Sequence, residues 1–109
     1  MGRIGSSGGA QASIDVRVDE NGDATVTVAG ELDVSNVDEL AALLEPLLDK
    51  QPTRVRFDVG GLEFMDSSGI AVFLRVAARV GEVRLLHPTS IVKRIVTSTG
   101  LADVLPMEP

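Results

Sequence analysis

The order of the hydrophobic patterns constrains this chain most. Short stretches that alternate apolar and polar residues give way to segments with helical spacing, and the exchange repeats. Ile14-Asp15-Val16-Arg17-Val18 alternates as a half-buried strand does. Ala24 to Ala29 alternates again and is rich in β-branched residues. Between them Asp19-Glu20-Asn21-Gly22-Asp23 supplies turn chemistry, so the two runs predict a hairpin. Ser35 with Asp38 three positions on resembles a capping box, with Asp in place of Glu or Gln. Val37, Leu40, Ala41, Leu44, Leu47 and Leu48 follow at helical spacing and predict a helix over residues 36–49. A kink is expected at Pro46, because an interior proline costs about 3 kcal/mol.

The exchange then continues. Residues 54–59 form a third strand and 68–80 a second, well-buried helix closed by Gly81. Residues 82–86 form a fourth strand. Pro88-Thr89-Ser90 opens a third helix with an apolar stripe of Ile91, Val92, Ile95 and Val96, closed by Gly100. Val104-Leu105 reads as a short last strand. Strand–helix–strand units require parallel pairing with right-handed crossovers. The prediction is an α/β fold: a mixed sheet with an antiparallel N-terminal hairpin and three or more helices packed against it. Such sheets gather the loops after their strands on one side, here 30–35, 60–68 and 87–90.

Composition narrows the function. At 109 residues the chain is one domain. Residues 1–12, glycine-rich and polar at their start, are expected to be a flexible arm before a domain at 13–109. There is no cysteine and a single histidine, His87, so thiol chemistry and multi-histidine metal sites are excluded, and no cofactor is implied. Residues 1–50 hold ten acids and three bases (−7) and residues 51–109 six acids and seven bases (+1), which gives the net charge of −6. An acidic chain with three Phe and no Trp or Tyr lacks the charge and the stacking rings of a nucleic-acid binder. No run of about 18 apolar residues is present to cross a membrane. The lack of cysteine is compatible with a reducing cytoplasm. No Gly-x-x-x-x-Gly-Lys-[Ser/Thr] or Gly-x-Gly-x-x-Gly loop follows a strand, so any phosphate comes from another protein. A Ser–His–Asp hydrolase is disfavoured: Ser67 stands in Asp-Ser-Ser-Gly rather than a Gly-x-Ser-x-Gly elbow, and His87 reads as a surface or capping histidine.

One segment concentrates the remaining chemistry. Phe64-Met65-Asp66-Ser67-Ser68-Gly69-Ile70 falls where a strand ends and a helix begins. Asp and Ser there cap a helix. The unpaired N–H groups and partial positive charge of a helix start also accommodate an added anion. A phosphoserine would add about −1.5 to −2 charges and three acceptor oxygens. Gly30-Glu31-Leu32-Asp33 reads either as a turn with solvated acids or as a rim near those serines. Gly69 would let a partner backbone approach closely.

These residues match a family pattern. Val55–Ile70 resembles the signature of STAS-domain anti-sigma factor antagonists, Gly30-Glu31-Leu32-Asp33 resembles that family's first loop, and residues 91–101 resemble its last helix and following turn. The likeness covers about residues 13–106, with Ile70-Ala71-Val72 in place of the more usual Leu-Gly-Val and with the unusual Pro46. The resemblance implies a non-enzymatic regulator with no catalytic residues and no metal, in a cytoplasmic location and as a monomer or weak dimer. It implies Ser67 as the site phosphorylated by a GHKL-type anti-sigma factor serine kinase and restored by a PP2C-type phosphatase. The unphosphorylated form binds the kinase and frees a sigma factor. The implied partner surface holds Glu31, Asp33, Asp66, Ser67, Ser68 and Gly69. The alternative within the family is a non-phosphorylated STAS subunit or scaffold of a transporter or signalling complex.

Overall fold

The computed structural model describes the backbone of residues 2–5 and all of residues 11–109. In chain order it contains β1 (Gly2–Gly5), β2 (Gln11–Val18), β3 (Ala24–Leu32), α1 (Val37–Asp49), β4 (Arg54–Met65), α2 (Ser67–Arg79), β5 (Glu82–Leu86), α3 (Ser90–Ser98) and β6 (Met107–Glu108). The six strands form one sheet in sequential order. β1, β2 and β3 pair antiparallel, and β3 to β6 pair parallel. The mixed sheet, the hairpin and the three helices are those the patterns predict.

Strand alternation sorts the two faces. Val26 and Val28 of β3, Val55, Phe57 and Val59 of β4, and Val83 and Leu85 of β5 are buried and belong to one core. Leu40 and Leu44 of α1, Phe73 and Val76 of α2, and Val92 and Val96 of α3 complete it, so all three helices cover the same face. Phe57 and Phe73 tie sheet to helix with ring centroids 4.5 Å apart. The opposite face carries Thr25, Thr27, Arg54, Arg56, Asp58, Glu82 and Arg84, all half-buried.

Three boundaries differ from the sequence reading, and one element keeps its predicted course. The segment assigned to the loop at 60–68 is largely strand: β4 runs on to Met65, and Glu31 and Leu32 extend β3 beside it. Two register shifts make this possible, between Thr27 and Ala29 and between Gly30 and Glu31. They rest on glycine. A Cβ on Gly61 would sit 2.7 Å from the Ala29 Cβ, and Gly30 holds φ +94° with its missing Cβ pointing at the Gln11 carbonyl. As the spacing predicts, α1 is one helix of thirteen residues with Pro46 inside it. Ala42, whose carbonyl loses its usual donor, is exposed along with Pro46, so water can satisfy it. Second, the last strand is Met107–Glu108, not Val104-Leu105. Leu105 is a buried anchor, and β5 is instead bonded from Leu85 N–H to the Pro106 carbonyl, 2.8 Å, and from His87 N–H to the Glu108 carbonyl, 2.8 Å. Third, the arm expected at 1–12 contributes paired strand: Gly2–Gly5 lies against β2, which itself begins at Gln11. Residues 1 and 6–10 of that arm lie outside the described residues.

Candidate functional site at the start of the second helix

The site is assembled by neighbouring strand ends. Glu31 pairs opposite Phe64 and Leu32 opposite Met65, and Asp66 N–H continues the ladder by donating to the Leu32 carbonyl, 3.3 Å. The two sequence motifs are thus brought side by side at the C-terminal end of the parallel strands. Asp66 then turns the chain. Its backbone is extended (φ −112°, ψ −172°) and its carboxylate caps α2, accepting from Ser68 N–H at 2.9 Å and from the Ser68 hydroxyl. Gly69 N–H donates to the Asp66 carbonyl, 3.1 Å.

The two serines are therefore not equivalent. Ser68 is half-buried and its hydroxyl is committed to the cap. Ser67 is exposed, and its hydroxyl has no hydrogen-bond partner among the described residues. Ser67 presents an exposed, unpaired hydroxyl at the first position of α2, next to the Asp66 carboxylate, which bonds Ser68 instead.

Gly69 has a role inside the domain. It is buried, and a Cβ there would lie 2.7 Å from Met65 Cγ and 3.0 Å from Leu32 Cδ2. The glycine is required from within, to let α2 start close over the ends of β3 and β4.

The acidic loop is built as firmly. Asp33 is half-buried, and its carboxylate accepts from Ser35 N–H at 2.8 Å and Ser35 Oγ at 2.6 Å. The Ser35 hydroxyl first, and its amide second, hold the Asp33 carboxyl below its ordinary range. Ser35 therefore does not cap α1. The N-cap position belongs to Asn36, whose side chain faces back into the loop. Asn36 is buried; its Nδ2 donates to the Glu31 carbonyl at 2.9 Å and its Oδ1 accepts from Asp33 N–H at 3.1 Å. Sequence reasoning missed Asn36. An Asn just before an apolar helical run is a visible cap signal, but Ser35 was the nearer match to the capping-box pattern. Glu31 is exposed beside this loop.

His87 takes no part. Its Nδ1 lies 3.2 Å from Asp58 Oδ1, and Asp58 stands eight residues before Asp66 on β4, on the order of 20 Å away along a strand. A Ser67–His87 dyad does not form. Among the described residues no group of three His, Cys, Asp or Glu side chains could hold a metal ion, and no helix is long and apolar enough to cross a membrane.

The fold has counterparts in known proteins. A family model described as "Mlab, STAS domain" matches residues 16–106. The chain belongs to the STAS domain family. This STAS domain is 32% identical over 97 residues to the anti-sigma-B factor antagonist of Bacillus subtilis (strain 168), a match covering 85% of this chain and 87% of the relative. It is 27% identical over 97 residues to the anti-sigma-B factor antagonist of Listeria monocytogenes, covering 85% of each. In structure it is similar to an anti-sigma factor antagonist from Mycobacterium paratuberculosis, with a TM-score of 0.81 at 22% identity, covering 90% of this chain and 86% of that one. SpoIIAA in its unphosphorylated form gives a TM-score of 0.74 at 23% identity over 87% of each chain. At those identities the two structural likenesses show the fold.

Proposed function

We propose that this STAS domain is an anti-sigma factor antagonist switched by phosphorylation of Ser67, with no catalytic activity of its own. The observation that carries the reading is the division between the serines: Ser68 holds the helix start together, and Ser67 stands exposed and unpartnered beside it. The names of its sequence relatives support the same role.

In this reading a GHKL-type kinase that also holds a sigma factor docks on the surface around Glu31, Asp33, Asp66 and Ser67. The Ser67 oxygen attacks the γ-phosphorus of the kinase's ATP. The new O–P bond replaces the bond to ADP, which leaves, and the hydroxyl proton passes to a base on the kinase. The partner is then released, because about −1.5 to −2 charges appear in a packed, partly desolvated contact that Asp66 already makes negative. A hundredfold loss of affinity needs about 2.7 kcal/mol, within reach of one misplaced dianion. A PP2C-type phosphatase hydrolyses the phosphoserine and restores binding. The partners are cytoplasmic proteins, and the domain works there with no membrane or nucleic-acid contact.

The test is incubation with the cognate kinase and ATP, followed by peptide mass analysis. Phosphate on the peptide carrying Ser67, and its loss in Ser67→Ala, is the expected result. In binding assays Ser67→Ala keeps affinity for the kinase and Ser67→Asp loses at least tenfold. Phosphate confined to other residues, or equal affinities for Ser67→Asp and the unmodified domain, would refute the assignment.

A further inference from the structure

β1 covers half of the edge it lies against. Its register with β2 runs from Gly5 opposite Gln11 to Gly2 opposite Ile14. Beyond that point Asp15–Val18 pairs with β3 on one side and, among the described residues, with no strand on the other. An uncovered strand edge presents a row of backbone donors and acceptors to any added strand. The side chains here differ from those of an edge that is merely solvated. Val16 and Val18 lie on the helix-covered face, in phase with buried Ile14, yet are 38% and 49% exposed. Asp15 and Arg17 lie on the other face and pair with each other at 2.9 Å, Arg17 being almost fully exposed.

This pattern is complementary to itself. Antiparallel addition of a second copy about a two-fold axis at Val16 sets Val16 against Val16, Asp15 against Arg17 and Arg17 against Asp15. Val18 then falls opposite Ile14, so its exposed surface is covered and Gly2 of the other copy must yield its last pair. Centring the axis on Arg17 instead opposes two arginines and sets Asp15 against Asp19. A slip of one residue puts the valines beside the charges, because side chains alternate faces along a strand. A two-fold arrangement also closes, so association stops at the dimer.

We infer that the Asp15–Val18 edge of β2 is a self-association surface, on which a second copy of this chain adds antiparallel through two reciprocal Asp15–Arg17 ion pairs. The contact is short, so the dimer is transient, as interfaces below about 1,200 Å² are. It lies along the first half of β3, at the opposite end of the sheet from Ser67, and leaves that serine open in both copies.

Sedimentation velocity of the full chain at concentrations up to about 1 mM reads this directly, the range in which interfaces of this size associate. The unmodified chain, 11.5 kDa, is expected to show a concentration-dependent rise toward twice that mass, weakened by added salt. Asp15→Arg and Arg17→Asp, each alone, should weaken association at least tenfold. A mixture of these two variants should associate again, as should the double variant carrying both changes. Circular dichroism of each variant checks that it is folded. A monomer at all concentrations would overturn the inference, and so would association that ignores the charge reversals or is not restored by mixing.

Discussion

Replacing Gly69 by alanine separates two opposing effects whose sizes can be estimated. Alanine in a helix is favoured over glycine by about 0.8–1 kcal/mol. Gly69 has no left-handed backbone to lose, so on propensity alone Gly69→Ala stabilises the domain. Packing opposes it. The new methyl would lie 2.7 Å from Met65 Cγ, 3.0 Å from Met65 Sδ and 3.0 Å from Leu32 Cδ2, about an ångström inside ordinary carbon–carbon contact. Met65 is buried and its Cγ is close to the backbone, so it cannot simply swing aside. Overpacking costs about 1–3 kcal/mol, and a contact of 2.7 Å to a buried side chain belongs in the upper part of that range, about 2–3 kcal/mol, which outweighs the gain in propensity. The expected net effect is a loss of about 1–2 kcal/mol, or roughly 4–12 °C in Tm for a domain of this size. Urea unfolding should show a lower midpoint with an unchanged slope. The double variant Gly69→Ala, Met65→Ala should be less destabilised than the sum of its single changes, because the second deletion makes room for the first methyl. A Gly69→Ala domain as stable as the original, or one strictly additive with Met65→Ala, would show that α2 does not depend on this close approach.

Three other outcomes follow from the structure. Asn36→Ala removes the side chain that bonds the part-buried Glu31 carbonyl and Asp33 N–H, and should cost about 1–3 kcal/mol in urea unfolding, at about 0.5–1.5 kcal/mol per hydrogen bond lost; a loss below about 0.5 kcal/mol would mean the loop is held otherwise. Asp33 has a depressed folded-state pKa, so its contribution to stability is full above the ordinary carboxylate range and is lost as pH falls through the lower, folded value; Ser35→Ala should move the Asp33 titration, followed by carboxyl NMR, back toward the ordinary range, and no movement would discard the Ser35 hydroxyl as the cause. Glu82, depressed chiefly by its hydrogen bond from Arg84, should respond to Arg84→Gln in the same direction, and an unmoved Glu82 titration would discard that hydrogen bond as the cause.

Much of this was legible in the chain because local rules agreed with the global fold. Alternation in 14–18 and 24–29 and the stripes of the three helices place the core correctly, since one-sided burial leaves a period that can be read. Asp66 is recognisable as a cap from its place before an apolar helical run. What could not be read depends on partners distant in sequence. The continuation of β4 to Met65 requires the bulges that Gly30 and Gly61 permit, and these are set by Gln11 and Ala29. The distinction between Ser67 and Ser68 rests on which hydroxyl the Asp66 carboxylate meets, a matter of angstroms rather than of residue type. The use of Asn36 depends on where the Glu31 carbonyl points once β3 has been extended.

The unequal serines have a consequence for what variation can reveal. Position 68 is tied to the cap, so its changes are felt in stability and in the yield of folded protein. Position 67 contributes no side-chain bond to the fold. A selection that rewards only soluble, folded protein is therefore sighted at residue 68 and blind at residue 67. Only an assay that reads the partner will register the loss of that one hydroxyl.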